Sequence, residues 1–456
     1  MKHVTQVVLG AVAVATGAMV LLGVGCAQWG TTGESAATIP PVAPAALADS
    51  GLTVRWQTEA LLEPGTQLVA LWVRGGYVVG LGSDQRVYVV DAETGVRRWS
   101  RVLAEPHETL WPPAVHRDDL WFATTTKLMG FRGADGENIV EEVMTPNTEA
   151  ASANASDMTK TATGSDVVLV GATAAQRRTQ AKIAVVERKR AAVDAALAHK
   201  KTFIELEFAP SGPPATDGVH LFIPDAKGWL QAVSIQARVV PWGRWTNDAV
   251  TAAPVVDASR VYFAGHDGIV YASTQSFRRV IWQYPTEGPV MADLRITDTG
   301  LVLVGSLDYS LYAFDGASGV LEWDQLPNQR YNAGEPIRKP PYTFGEQVFL
   351  FTNRAGLTVL DTTSGKTQWQ LPSGHDLVTA DADIVYVQSR GNDLLALDRK
   401  AGEVRFAIPL RAGTLAGINE TGTGVLYLAT PDGHILAAAK PAGGEEAEEE
   451  DEAAAK

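Results

Sequence analysis

Thiols are nearly absent from this sequence. Of its 456 residues only Cys26 is a cysteine, which excludes a disulfide within the chain and any zinc site built on several thiolates. Positive charge is also scarce: 38 Lys and Arg face 52 Asp and Glu, a net charge of −14. Such a surface repels phosphate backbones and argues against general affinity for nucleic acid. No Gly-x-Ser-x-Gly elbow marks a hydrolase. Thr363-Ser364-Gly365-Lys366-Thr367 ends like a phosphate-binding loop, but the glycine required five residues earlier is Leu360. His107, His116, His199, His220, His266, His375 and His434 are scattered, with no pair at ligand spacing, and read as surface or turn residues. The acidic pairs Asp118/Asp119 and Asp381/Asp383 are too few for a calcium site and read as turn residues.

What is present has the balance of a globular protein: 46% hydrophobic, 20% charged, with 43 Gly and 24 Pro. The one long apolar run, Val7 to Gly25, follows Lys2 and His3 and ends at Cys26. A basic start, an apolar middle and small residues before a cut site have the form of a secretory signal. Leu22-Gly23-Val24-Gly25-Cys26 resembles the lipobox of bacterial lipoproteins, in which the cysteine is lipid-modified; it departs at Gly23, where leucine is preferred. An uncleaved anchor helix is the competing reading. Both place the rest of the chain outside the cytoplasm. The absence of Asp after Cys26 would, by resemblance to Gram-negative lipoproteins, favour the outer membrane.

Residues 1–25 are thus expected to be signal, and 26–50, rich in Gly, Ser, Thr, Ala and Pro, a flexible tether. Residues 51–440 form the folded body, with a divergent stretch at 150–208, and 441–456 a disordered tail. That tail ends in Glu445–Lys456, seven acids and one lysine, which repel one another.

The body is repetitive. An Asp, a Gly four residues later and an aromatic four after that recur as Asp91/Gly95/Trp99, Asp315/Gly319/Trp323, Asp361/Gly365/Trp369 and Asp398/Gly402/Phe406. Asp closes a turn by accepting backbone N–H bonds, Gly supplies positive φ, and the ring can pack on a neighbouring sheet. Alternating strands and Asp-Gly turns lie between the copies. Four short antiparallel strands repeated at roughly forty residues predict an all-β propeller of four-stranded blades. Outer strands are expected to end near Trp99, Val143, Phe203, Trp242, Trp282, Trp323, Trp369 and Phe406, and Thr414–Lys440 is a further partial unit. That makes nine candidate units, against the eight most expected. The partial unit lacks a fourth strand, which Thr53–Trp56 can supply, so that the two ends of the chain close one blade. Trp56, Trp99, Trp282, Trp323 and Trp369 fall at outer-strand positions, which assigns them to packing.

These units resemble the pyrroloquinoline-quinone-type (PQQ-like) propeller repeat over about residues 51–440. That repeat family includes quinone-dependent dehydrogenases, many with an adjacent cysteine pair that this chain lacks. With a lipid-type Cys26, a tether and repeats to the end, the chain is similar in architecture to the BamB-type lipoproteins of the outer-membrane β-barrel assembly machinery. The resemblance implies a non-enzymatic scaffold with protein partners at the outer membrane, no cofactor and no small-molecule substrate. The alternative is a periplasmic quinone-dependent oxidoreductase or a ligand sensor. One feature stands outside the repeat: Arg177, Arg178, Lys182, Arg188, Lys189, Arg190, Lys200 and Lys201 give a net of +6 with Glu187 and Asp194. It reads either as a solvated insertion or as a docking patch for an acidic partner or membrane.

Overall fold

The computed structural model describes residues 40–142, 203–237, 239–276 and 279–441. They form eight four-stranded antiparallel sheets. Blades 1 to 7 span 68–102, 114–205, 215–245, 255–285, 295–332, 342–371 and 374–409. Each is a simple meander whose first strand lies innermost in the ring. Blade 8 takes three strands from 415–439 and its outermost from Thr53–Glu59. The two ends of the chain thus close one blade, as the sequence predicts, in a register that runs from Thr53 opposite Ala439 to Glu59 opposite His434.

Eight blades replace nine candidate units for a definite reason. The ends near Val143 and Phe203 belong to one blade, because Ile204–Glu205 is the fourth strand of blade 2 and pairs with Lys127 and Leu128. The intervening stretch is an insertion between third and fourth strands. In blade 5 the outermost strand is displaced to Tyr331–Asn332, yet Trp323 keeps its buried position ahead of it.

Middle strands such as Leu301–Gly305 (LVLVG) are apolar throughout because both sheet faces are covered. Side chains alternate across the pleat. Val302 and Val304 pack toward blade 4 with Tyr262, while Leu303 packs toward blade 6 with Val348 and Leu350. Each of the eight apolar clusters fills one seam between consecutive blades, including the seam between blades 8 and 1.

The repeated triplet joins blade to blade. Asp91 Oδ1 accepts bonds from Thr94 N at 2.8 Å and Thr94 Oγ1 at 2.7 Å, and Asp315 holds Ser318 in the same way. Gly95 and Gly319 follow at φ 72° and 75°. The indole of the preceding blade's tryptophan lies where a Cβ on each would fall: Trp56 over Gly95, Trp282 over Gly319. Each Nε1–H donates to the carbonyl of the residue after the aspartate, Trp56 to Ala92 and Trp282 to Gly316, both at 3.0 Å.

One segment differs from expectation. Within the expected tether, residues Pro44–Asp49 are helical, and Val42 and Leu47, with Leu52 just beyond it, are buried between blades 7 and 8. Arg411 N donates to Pro41 O at 2.9 Å. Three apolar residues in a small-residue segment leave no periodic signal, but each finds a prepared apolar surface.

Candidate functional site

The ring has two faces. One carries the hairpins joining first to second strands and the turns joining third to fourth; the other carries the remaining hairpins and the connections between blades. On the first face, the mouth of the ring opens into a cavity of about 1010 Å³. Blades 1, 4, 5 and 8 supply its walls, including Arg55, Arg74, Tyr77, Glu93, Val255, Arg295, Glu420 and Tyr427.

Local sequence explains how the key side chains are presented. In blade 1, Gly75 and Gly76 take φ of 56° and 83° to turn the chain directly after Arg74. In blade 8, Asn419 is 1% exposed and anchors its loop: Asn419 N donates to Val378 O and Asn419 Nδ2 to Val425 O, both at 2.9 Å. Glu420 follows it. Its Oε1 lies 3.2 Å from Arg295 Nη2 of blade 5 and 4.0 Å from Arg74 Nη1 of blade 1. Arg295 also stacks on Tyr342 of blade 6, with Cζ 5.5 Å from the ring centroid. A carboxylate from one side of the mouth is therefore held by guanidinium groups from two others. The arrangement gathers cations, a carboxylate and hydroxyls around one opening.

At the rim of this cavity, Asp91 is desolvated, which raises its pKa, but bonds from Arg98 and Thr94 outweigh this and bring it to about 2. Burial, with the nearby Asp118 carboxylate, pushes the Tyr77 phenol well above its ordinary range. Both groups serve blade contacts: Tyr77 OH donates to Asp118 of blade 2.

The repeat residues Asp91, Gly95, Trp99, Asp315, Gly319, Trp323, Asp361, Gly365, Trp369, Asp398, Gly402 and Phe406 occupy turns and seams. Lys366, in the segment that ends like a phosphate loop, bonds Gln325 Oε1 at 2.7 Å, and Ser364 caps the Asp361 turn. Asp381 Oδ1 accepts N–H bonds from Asp383 and Ile384, which makes it a turn residue. His220 pairs with Asp217, and His266 with Thr251. Among the described residues no cluster of His, Cys, Asp or Glu is placed to hold a metal. Cys26 and the eight basic residues from Arg177 to Lys201 lie outside the described residues. Glu420, Arg74 and Arg295 escaped the sequence reading: the first and last are 125 residues apart and share no motif.

Comparison with curated proteins returns no match. Among solved structures, BamB from Moraxella catarrhalis superposes with a TM-score of 0.56 at 12% identity, covering 85% of this chain and 99% of that one. The computationally designed Ika8 protein superposes at 0.52, also at 12% identity, covering 82% and 96%. At such identity these likenesses establish the fold alone, and a designed protein among them shows that the ring by itself specifies no activity. The family model described as "Outer membrane protein assembly factor BamB" matches residues 45–244 and 226–376. That is well over half of the sequence, and the chain belongs to this BamB family of propellers.

Proposed function

We propose that this protein is an extracytoplasmic scaffold, anchored to the outer membrane through lipid on Cys26, that binds protein partners in β-barrel assembly. The family match over residues 45–376 carries this reading. The mouth cavity adds to it, since rigid blades hold loops from several directions around one opening, as binding surfaces require. Glu420 sits between two arginines that a partner's carboxylates can engage in its place. No catalytic step is assigned.

The test is affinity capture from membranes with the intact protein and with Arg74→Glu/Arg295→Glu. Partner recovery should fall in the variant while its melting temperature holds. Equal recovery removes the mouth from the reading, and absence of outer-membrane assembly proteins from both captures removes the scaffold. Cys26→Ser should leave an unprocessed precursor that takes up no fatty-acid label. Reversing Arg188, Lys189 and Arg190 to Glu tests the basic insertion as a second docking element. Its effect should be larger at low salt, since exposed charges are screened within ~10 Å at 0.1 M.

A further inference from the structure

Arg399 breaks the repeat at the seam between blades 6 and 7. It directly follows the turn aspartate Asp398, where other blades carry Ala92, Gly316 and Thr362. The indole dock needs only a backbone carbonyl there, and Arg399 supplies it to Trp369 Nε1 at 3.0 Å. Its side chain does something the other blades do not. Arg399 Nε donates to Gln347 Oε1 at 2.8 Å, Nη1 to Asp381 O at 2.8 Å, and Nη2 to Phe344 O.

All three acceptors are neutral oxygens. Among the described residues no carboxylate forms an ion pair with Arg399, and Asp381 and Asp383 act on it only from further off. Desolvation accordingly lowers its pKa, although the group stays charged. A guanidinium has five N–H donors, so two remain. Arg399 lines a cavity of about 520 Å³ together with Lys400, Glu346, Gln347, Gln368 and Ala382. Gln347 is itself fixed: its Nε2 donates to Gln368 Oε1 at 2.5 Å and to Arg399 O at 3.0 Å. A half-buried cation is thus held by neutral oxygens, with no direct ion-pair partner among the described residues, at the wall of a cavity. Partly buried charges of this kind are normally paired.

We propose that this seam is a carboxylate-binding site, taking the α-carboxylate of a free amino acid or of a peptide C-terminus. A planar guanidinium fork matches a carboxylate, with Lys400 as a second cation. Glu346 on the same wall disfavours a doubly charged anion and suits a ligand that bears an N–H or ammonium group beside its carboxylate. The site is separate from the channel mouth and independent of membrane anchoring.

Calorimetric titration of the full chain tests it, with N-acetyl-trialanine, alanine, the C-terminal amide of each, and inorganic phosphate. One of the two acids should bind, and its amide should bind at least about tenfold more weakly, as loss of a charged hydrogen-bond partner implies. Preference for the acetylated peptide identifies a chain terminus as the ligand; preference for alanine identifies a free amino acid. Lys400→Gln, which leaves the seam bonds intact, should weaken binding, and Glu346→Gln should strengthen it. Arg399→Gln should abolish it; if that variant fails to fold, the other two decide. Acid and amide binding equally, phosphate binding better than either acid, no binding at all, or unchanged affinity in both Lys400→Gln and Glu346→Gln would each overturn the assignment.

Discussion

The indole of Trp369 occupies the space a β-carbon on Gly402 would need, while its Nε1–H donates to the carbonyl of Arg399, three residues before that glycine, at 3.0 Å. Glycine is required at position 402 on two counts: its φ is 72°, and the tryptophan of the preceding blade lies against it. The pattern Asp-x-x-x-Gly is therefore a receptor for the neighbouring blade as well as a turn.

Gly402→Ala should destabilise the protein more than Gly334→Ala. Both residues have positive φ, but a Cβ at 334 meets nothing within 4 Å. Backbone strain alone costs about 1 kcal/mol, and overpacking adds about 1–3 kcal/mol. Denaturant midpoints of the two variants, compared at equal slope, measure the difference. Equal losses would mean that Trp369 shifts without cost.

Trp56→Ala should cost about 3–5 kcal/mol, the range for large buried aromatics. Trp56 is 9% exposed, bonds Ala92 O, and packs on Tyr427 with ring centroids 6.0 Å apart. Hydrogen exchange should rise first at the 434–439 amides. Deleting residues 51–58 should be worse, because an unpaired strand edge promotes aggregation.

Acid should weaken the fold in two separate windows. Asp91 has a folded pKa of about 2 against an ordinary 3.8. Its contribution is complete above the unfolded value and is lost as pH falls from about 4 through 2. The shift corresponds to about 2 kcal/mol. Asp91→Asn should show that loss at pH 7 and little of it at pH 2, in denaturation series at both values.

His434 governs the higher window. It is 6% exposed in blade 8, and burial lowers its pKa below the ordinary 6.5 despite Glu59 and Asp432 nearby. The folded state favours the neutral ring, so stability is complete above pH 6.5 and declines as pH falls below it. His434→Gln should flatten the stability profile between pH 7 and 5.5. An unchanged slope would assign that titration to other histidines.

The fold was legible because the chain repeats a local rule. Asp91, Gly95 and Trp99 lie within nine residues, and the same spacing at 315–323, 361–369 and 398–406 names both a turn and its dock. Closure by Thr53–Glu59 could be read by elimination, since the last unit lacked one strand. Blade 2 misled because its fourth strand is two residues long and is separated from the third by residues 133–203. Pro44–Asp49 was invisible since its buried Leu47, with the flanking Val42 and Leu52, is meaningful only beside blades 7 and 8. The mouth was equally hidden: Arg295 and Glu420 meet across the ring although blades 6 and 7 lie between them in sequence, a relation that no local pattern encodes.

The strand Thr53–Glu59 also sets the order of assembly. Thr53 Oγ1 bonds Ala439 O at 3.2 Å across 386 residues of sequence. A polypeptide made N-terminus first therefore carries that strand without its mate until nearly all the rest has followed. Seven blades can form as local meanders in sequence order, all but blade 2 closing short loops at small entropic cost. The eighth cannot. Its completion is a late, concentration-independent capture step, and until then one end of the stack lies open to pairing with the wrong edge, as expected for large β proteins. Slow refolding, with native-like signal from the early blades and a lagging burial of Trp56, is the kinetic signature this architecture imposes.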